Sequence, residues 1–333
     1  MNEKSMIKKL FGFRETGVVA GLIVLTIIFS FSSDIFFTGN NLLNITRQIS
    51  ITGLLAIAMT FVIITGGIDL SVGAVIAFSG IITTSLMKDY EIPMVLAIFA
   101  GIFIGVLTGF LNGLLIAYLN MPAFITTMGT MTILRGLGYI YTQGYPIYDL
   151  PKTFRYIGQG YVGPIPVPTI IFAAVAFLAY ILLNKTVLGR HIYAVGGNSE
   201  AARLAGIRVR KVQLYVYMLS GLISGLAAVV QAARVGSGLP KIGEGFEMDA
   251  IASAVIGGAA MSGGSGTILG TILGAMILGV LSNGLSLMDV DSYVMNVISG
   301  CVVILAVLID QLRTIMSKNA QIKNTRAAIK EGK

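Results

Sequence analysis

One cysteine, one histidine and no tryptophan occur in 333 residues. A single Cys301 excludes a disulfide framework within one chain, and its place in an apolar run suits a small packed hydrophobe. A single His191 excludes a histidine-rich metal or proton site. Charged residues make up only 11% of the chain, where soluble domains carry about a quarter. No G-x-x-x-x-G-K-S/T phosphate loop is present, so if nucleotide drives this protein, another chain binds it. Proline is also scarce, at 8 residues against 41 glycines. The apolar content is too high for such glycine to mean disorder.

What fills the space is apolar. Hydrophobic residues reach 55% and mean hydropathy is +0.86, so lipid is the expected solvent for most of the surface. Small residues let membrane helices approach closely, which suits the glycine count. Apolar runs predict about ten spans of the length a bilayer needs: 17–36, 49–65, 72–87, 93–119, 123–141, 168–183, 212–233, 249–261, 267–287 and 293–312. The first lacks a small-x-small cleavage site and reads as an uncleaved anchor. The eighth reaches only ~20 Å at the helical rise, and is expected to be a half-helix or re-entrant piece buried among others. The fold class predicted is an all-α polytopic membrane protein, one membrane domain over 1–333.

The formal charge of +8 gathers in three places. Lys4, Lys8, Lys9 and Arg14 precede the first span. Lys185, Arg190, Arg203, Arg208, Arg210 and Lys211 lie in the loop 185–213. Arg313, Lys318, Lys323, Arg326, Lys330 and Lys333 follow the last span. With an even span count all three fall on one side, as the positive-inside bias requires. This predicts cytoplasmic N- and C-termini, a cytoplasmic polar tail at 317–333, and external segments at 142–167 and 234–248. Clusters of this kind are juxtamembrane and do not indicate nucleic acid.

The loop KTVLGRHIYAVGGNSEAARLAGIRVRKVQ is the one long hydrophilic interruption. Asn198 or Ser199 can cap a short helix there, Glu200 suits its first turn, and Gly206 can end it. Ala201, Ala202, Leu204, Ala205 and Ile207 give it a small apolar ridge, while Arg203 stays polar. Such a helix either inserts into a cleft of a soluble partner or is a plain amphipathic surface loop.

Within the spans, Gly101, Gly105, Gly109 and Gly113, and again Gly266, Gly270 and Gly274, are spaced by four and line one helix face each. GGIDLSVG at 66–73 and GGAAMSGG at 257–264 share a pattern, and Asn112–Leu114 echoes Asn283–Leu285. These echoes suggest two related halves, the arrangement in which transporters place breaks along the solute route. Few charges are intramembrane. Asp69, with Ser71 beside it, either caps the next helix or also stands near a gate. Arg135 could pair with Asp69, meet solute, or snorkel to the surface. Asn112, Gln231, Asn283 and Asn296 offer uncharged hydrogen bonding, suited to a neutral hydroxylated solute or simply to joining helices.

Several long motifs stand in one order: TGGIDLSVGAVIA, the LRG and YTQG stretch of 134–144, LGRHIYAVGGNSEAARLAGI, GEGFEMDAIASAVIGGAAMSGGSGTILGTILGAMILG and LSNGLSLM. With these the chain resembles, from Phe36 to Asp310, the permease subunits of bacterial ABC importers for monosaccharides, the ribose-transporter type. The resemblance implies the ABC importer permease fold in a bacterial inner membrane, paired with a second permease as homodimer or heterodimer. It implies a tandem ATPase carrying ATP and Mg, with no cofactor on this chain, and an extracytoplasmic sugar-binding protein. Gly197, Asn198, Glu200, Ala201, Ala202, Arg203 and Gly206 would form the element that receives the ATPase. Segments 142–167 and 234–248 would receive the binding protein. Ribose is the expected solute; autoinducer-2, inositol and branched-chain amino acids are alternatives. An ion-coupled secondary carrier is the rival from another class.

Overall fold

The computed structural model describes residues 16–305, 307 and 308. The basic N-terminal residues, Asp310, Arg313 and the tail 317–333 lie outside them. The described chain forms α1 (Thr16–Ser32), α2 (Gly39–Ile64), α3 (Val72–Lys88), α4 (Met94–Leu119), α5 (Ala123–Thr142) and α6 (Lys152–Gln159). A two-strand hairpin follows, β1 (Tyr161–Val162) and β2 (Ile165–Pro166), then α7 (Val167–Lys185), α8 (Val187–Gly197), α9 (Ser199–Leu204), α10 (Val209–Val235), α11 (Phe246–Ile256) and α12 (Ile268–Leu287). The last is α13 (Ser292–Leu305). Helices α2, α4, α7, α10 and α12 are long and apolar enough to cross a membrane, and α1, α3 and α13 are shorter apolar helices. With α5 and α11 these match the expected spans one for one.

Two boundaries differ from the apolar runs for physical reasons. Helix α2 begins at Gly39 rather than Ile49, because Thr38 Oγ1 caps it by accepting from the Asn41 N–H. Its first turns are polar, but Asn41 and Gln48 find partners on α12 (Asn283 and Ser282), so the helix outruns its hydrophobic stretch. Helix α11 stops at Ile256 and spans only ~16 Å. The following loop, 257–266, is partly buried: the Gly264 N–H donates to the Ile64 carbonyl at 2.8 Å, and within the loop the Ala260 N–H donates to the Ser265 carbonyl at 3.0 Å. Irregular backbone at membrane depth is tolerated under that condition.

Helices α2 and α10 are the buried centre. Helix α10 lies against α3 and α4, α2 lies against α11 and α12, and the two central helices touch each other. The two glycine motifs meet in space: a Cβ on Gly263 would lie 3.1 Å from the Gly66 nitrogen.

Helix α4 shows how one sequence serves two surroundings. Val95, Phe99, Phe103, Leu107 and Leu111 form an exposed stripe, the side available to lipid. Gly101, Gly105, Gly109 and Gly113 form the opposite stripe; all but Gly101, which sits on Thr83 and Ser79 of α3, press on α10. A Cβ on Gly105 would fall 2.3 Å from the Gly221 carbonyl, and one on Gly221 2.1 Å from the Gly105 carbonyl. Backbone meets backbone there, so no side chain can yield. Cys301, by contrast, is exposed on α13 rather than packed, because that face of the last helix has no neighbour among the described residues. We expect Gly105→Leu to lower stability by about 3 kcal/mol, the upper end of overpacking, while Phe103→Leu on the outer stripe stays near wild type. Thermal unfolding of the purified protein in detergent checks both; equal midpoints for the two variants contradict the seam.

Candidate functional site

The break between α2 and α3 is the most densely bonded polar point inside the bundle. Asp69 is buried, 1% exposed, two residues ahead of the first turn of α3. Its Oδ1 accepts from the Ser71 N–H at 3.0 Å and from the Ser71 hydroxyl at 2.6 Å. That is the local turn an aspartate favours before a helix. Its Oδ2 accepts from the Ser220 hydroxyl of α10 at 2.8 Å. Asn112 Nδ2 on α4 donates to Ser71 Oγ at 3.0 Å, and Thr130 on α5 donates to Asn112 Oδ1 at 2.6 Å. The Tyr217 hydroxyl of α10 donates to the Ile68 carbonyl at 3.2 Å. One carboxyl group and one amide thus tie α3, α4, α5 and α10 to a single loop. Each partner removed would leave a buried group unmet, which is the costly case.

Helices α8 and α9 form a knob against this break. Gly196, near the end of α8, is so close to α2 that a Cβ there would sit 1.7 Å from the Ile64 carbonyl and 2.6 Å from the Gly264 nitrogen. The Tyr193 hydroxyl donates to the Gly266 carbonyl at 2.7 Å. The end of α8 is therefore wedged between the 65–71 break and the 257–266 loop. Helix α9 is capped by Asn198, whose Oδ1 accepts from the Ala201 N–H at 2.9 Å. Glu200 and Arg203 form a two-pronged exposed pair, at 2.5 and 2.9 Å. The guanidinium holds the Glu200 carboxyl below the usual carboxylate range. Gly206, at φ +84°, closes the helix, where a left-handed residue is normally glycine. Ala202 is buried and Ile207 half-buried, while Ala201, Ala205 and Leu204 face outward, Leu204 at 75% exposure. The small apolar ridge is thus split, with Leu204 on the free side. Gly197 borders open space.

The remaining residues singled out in the sequence lie apart. Arg135 on α5 does not pair with Asp69. Its Nη1 donates to the carbonyls of Ile242 at 2.6 Å and Pro240 at 3.2 Å, pinning the turn between α10 and α11. That turn is joined to the 142–167 segment by a bridge in which Ile147 and Gly238 exchange N–H to carbonyl bonds at 2.9 and 3.0 Å. Gln231 is buried under the same turn, with its Oε1 unpartnered among the described residues. Asn283 and Asn41 exchange side-chain bonds at 2.8 and 2.9 Å, joining α12 to α2. Asn296 on α13 borders a cavity of about 260 Å³ of mixed lining, shared with Gln48, Thr52, Asp249, Ser282, Leu278 and Met295. Sequence reasoning missed Ser220, Thr130, Tyr193 and Gly196. The first two are small hydroxyls indistinguishable from ordinary helix-joining residues. Gly196 carried a signal, a second Gly-Gly pair beside the loop helix, like the pairs at the breaks it contacts.

Ser220→Ala is expected to cost about 1.5–3 kcal/mol, the range for a bond to a charged group. Asp69→Ala should cost more, because both serine donors then lose their acceptor. The thermal midpoint in detergent measures each, and a midpoint unchanged in Asp69→Ala contradicts the junction.

Comparison with known proteins places this geometry. A family model described as branched-chain amino acid transport system / permease component matches residues 41–307. The ribose import permease protein of Bacillus subtilis is 46% identical over 303 residues, 90% of this chain and 94% of that protein. That of Haemophilus influenzae is 43% identical over 293 residues, 87% of this chain and 90% of the relative. The D-allose transport system permease protein of Escherichia coli is 39% identical over 290 residues, 87% of this chain and 89% of its own length. No solved structure matches. The chain belongs to the branched-chain amino acid transport system / permease component family, within which it stands with the permeases of ribose-type importers.

Proposed function

We propose that this chain forms the solute conduit of an ATP-driven importer for ribose or a close monosaccharide, in a bacterial inner membrane with both termini in the cytoplasm. A separate tandem ATPase holds ATP and Mg and seats on the α8–α9 knob. A sugar-binding protein delivers solute at the opposite face, over 142–167 and 234–248, and a second permease copy completes the channel. The identity with ribose import permeases supports the solute class. The knob's contact with both glycine breaks is the observation that carries the mechanism.

The physical sequence is short. A force on α9 reaches α8 through the Asn198 junction. Helix α8 abuts the Ile64 carbonyl and the Gly264 nitrogen, so displacement there moves the 65–71 break and the 257–266 loop together. The first break carries Asp69 and Ser71, and with them α3, α4, α5 and α10. Gly197, Glu200, Ala201, Ala202, Arg203 and Gly206 shape the knob. Asp69, Ser71, Asn112, Arg135, Gln231, Asn283 and Asn296 belong to the gate or its frame. Uncharged amides and hydroxyls suit a neutral polyol, which needs hydrogen bonds and no counter-charge, should movement of the frame open them to solute.

Gly206→Glu tests the coupling assignment. Nothing lies within 4 Å of a Cβ there, so the variant strains only the exposed knob and should insert normally. Co-purification of the ATPase should fall about tenfold, a loss near 1.4 kcal/mol of association, and binding-protein-dependent ribose uptake should fall with it. Normal co-purification and normal uptake contradict the assignment.

A further inference from the structure

Three arginines meet at the face opposite the 185–213 loop. Arg47 comes from α2, Arg155 from α6, and Arg234 from the last turn of α10. Gln159 links the first and the last. Its carbonyl accepts from Arg47 Nη2 at 3.0 Å, and its Nε2 donates to the Arg234 carbonyl at 3.0 Å. The Arg155 Cδ lies 3.4 Å from the point where a Cβ on Gly236 would stand. The Arg47 guanidinium lies over the Tyr161 ring, 4.4 Å from its centroid. All three arginines are half-buried.

No acid answers them. Among the described residues the ion pairs are Lys88–Asp149 and Arg203–Glu200. The Nε atoms of Arg47 and Arg155 are buried without a partner. Cations drawn partly out of water and close to one another require a counter-charge to be stable. The planar guanidinium fork matches the paired oxygens of a phosphate. The surroundings identify where that phosphate comes from. Tyr161, Val162 and Ile165 on the hairpin are all exposed beside the cluster. Helix α7 begins at Val167, directly after the hairpin, and is long and apolar enough to cross a membrane. Aromatic rings and arginines over exposed aliphatic side chains mark the level where headgroups meet acyl chains.

We infer that Arg47, Arg155 and Arg234 bind the phosphate of a phospholipid in the leaflet opposite the loop, with its acyl chains against Val162 and Ile165. The site is independent of the transported solute and of the coupling reading. Its role is to tie the α6–hairpin segment to the ends of α2 and α10 at the bilayer surface.

Native mass spectrometry of the full-length permease in detergent, titrated with phosphatidylglycerol, tests this. Arg155→Gln/Arg234→Gln should weaken lipid retention about tenfold, whereas Arg155→Lys/Arg234→Lys, which keeps the charge but not the fork, should lose only part of it. Lys152→Gln, on the same helix but outside the cluster, should match wild type. Equal retention by the double glutamine variant overturns the site, as does an equal loss in Lys152→Gln. Displacement of the lipid by millimolar inorganic phosphate overturns the lipid as its occupant.

Discussion

The Ile64 carbonyl is where the structure converges. It ends α2, the most buried helix of the bundle, accepts from the Gly264 N–H at 2.8 Å, and faces Gly196 with no room for a side chain. Three backbones from three parts of the chain cross at one point. Only glycine permits that approach at 196, 263 and 264, where a Cβ would meet backbone; Gly66 instead serves the turn through its φ of +80°. A membrane bundle gains little from burying apolar surface, because lipid is as apolar as its own side chains. Close packing and satisfied backbone groups are what remain.

The same constraint explains the rest of the bundle. Along the α4–α10 seam, glycines on both helices bring carbonyl against Cα, leaving Phe99 and Phe103 to the outer face. Two groups of buried polar side chains form bonded sets: Asp69 with Ser71, Ser220 and Asn112, and Asn41 with Asn283. These sets hold discrete arrangements, and a discrete arrangement can be switched as a unit. Arg135 fixes the turn between α10 and α11 by donating to the Pro240 and Ile242 carbonyls, as Asp69 fixes the opposite break by accepting from Ser71 and Ser220.

Much of this was legible before any coordinates. Span positions follow from apolar runs, and the half-helix α11 from the shortness of its run. The Asn198 cap and the Gly206 stop follow from residue type alone. Other features could not be read. The start of α2 was hidden because polar residues such as Asn41 are helical only when α12 supplies partners. The glycine motifs at 66–73 and 257–264 echo each other in sequence, but that they touch is seen only in the fold. Ser220 and Thr130 were invisible because a hydroxyl's role depends on which helix it faces. Arginine clustering across 47, 155 and 234 needs the tertiary fold to bring such distant positions together.

The most direct measurement separates assembly from transmission. Gly196→Ala leaves α9 untouched but places a methyl group against the Ile64 carbonyl. Reconstituted with its ATPase and binding protein, this variant should still assemble and hydrolyse ATP, with ribose uptake per ATP sharply reduced. Full uptake at wild-type hydrolysis would show that the wedge transmits nothing.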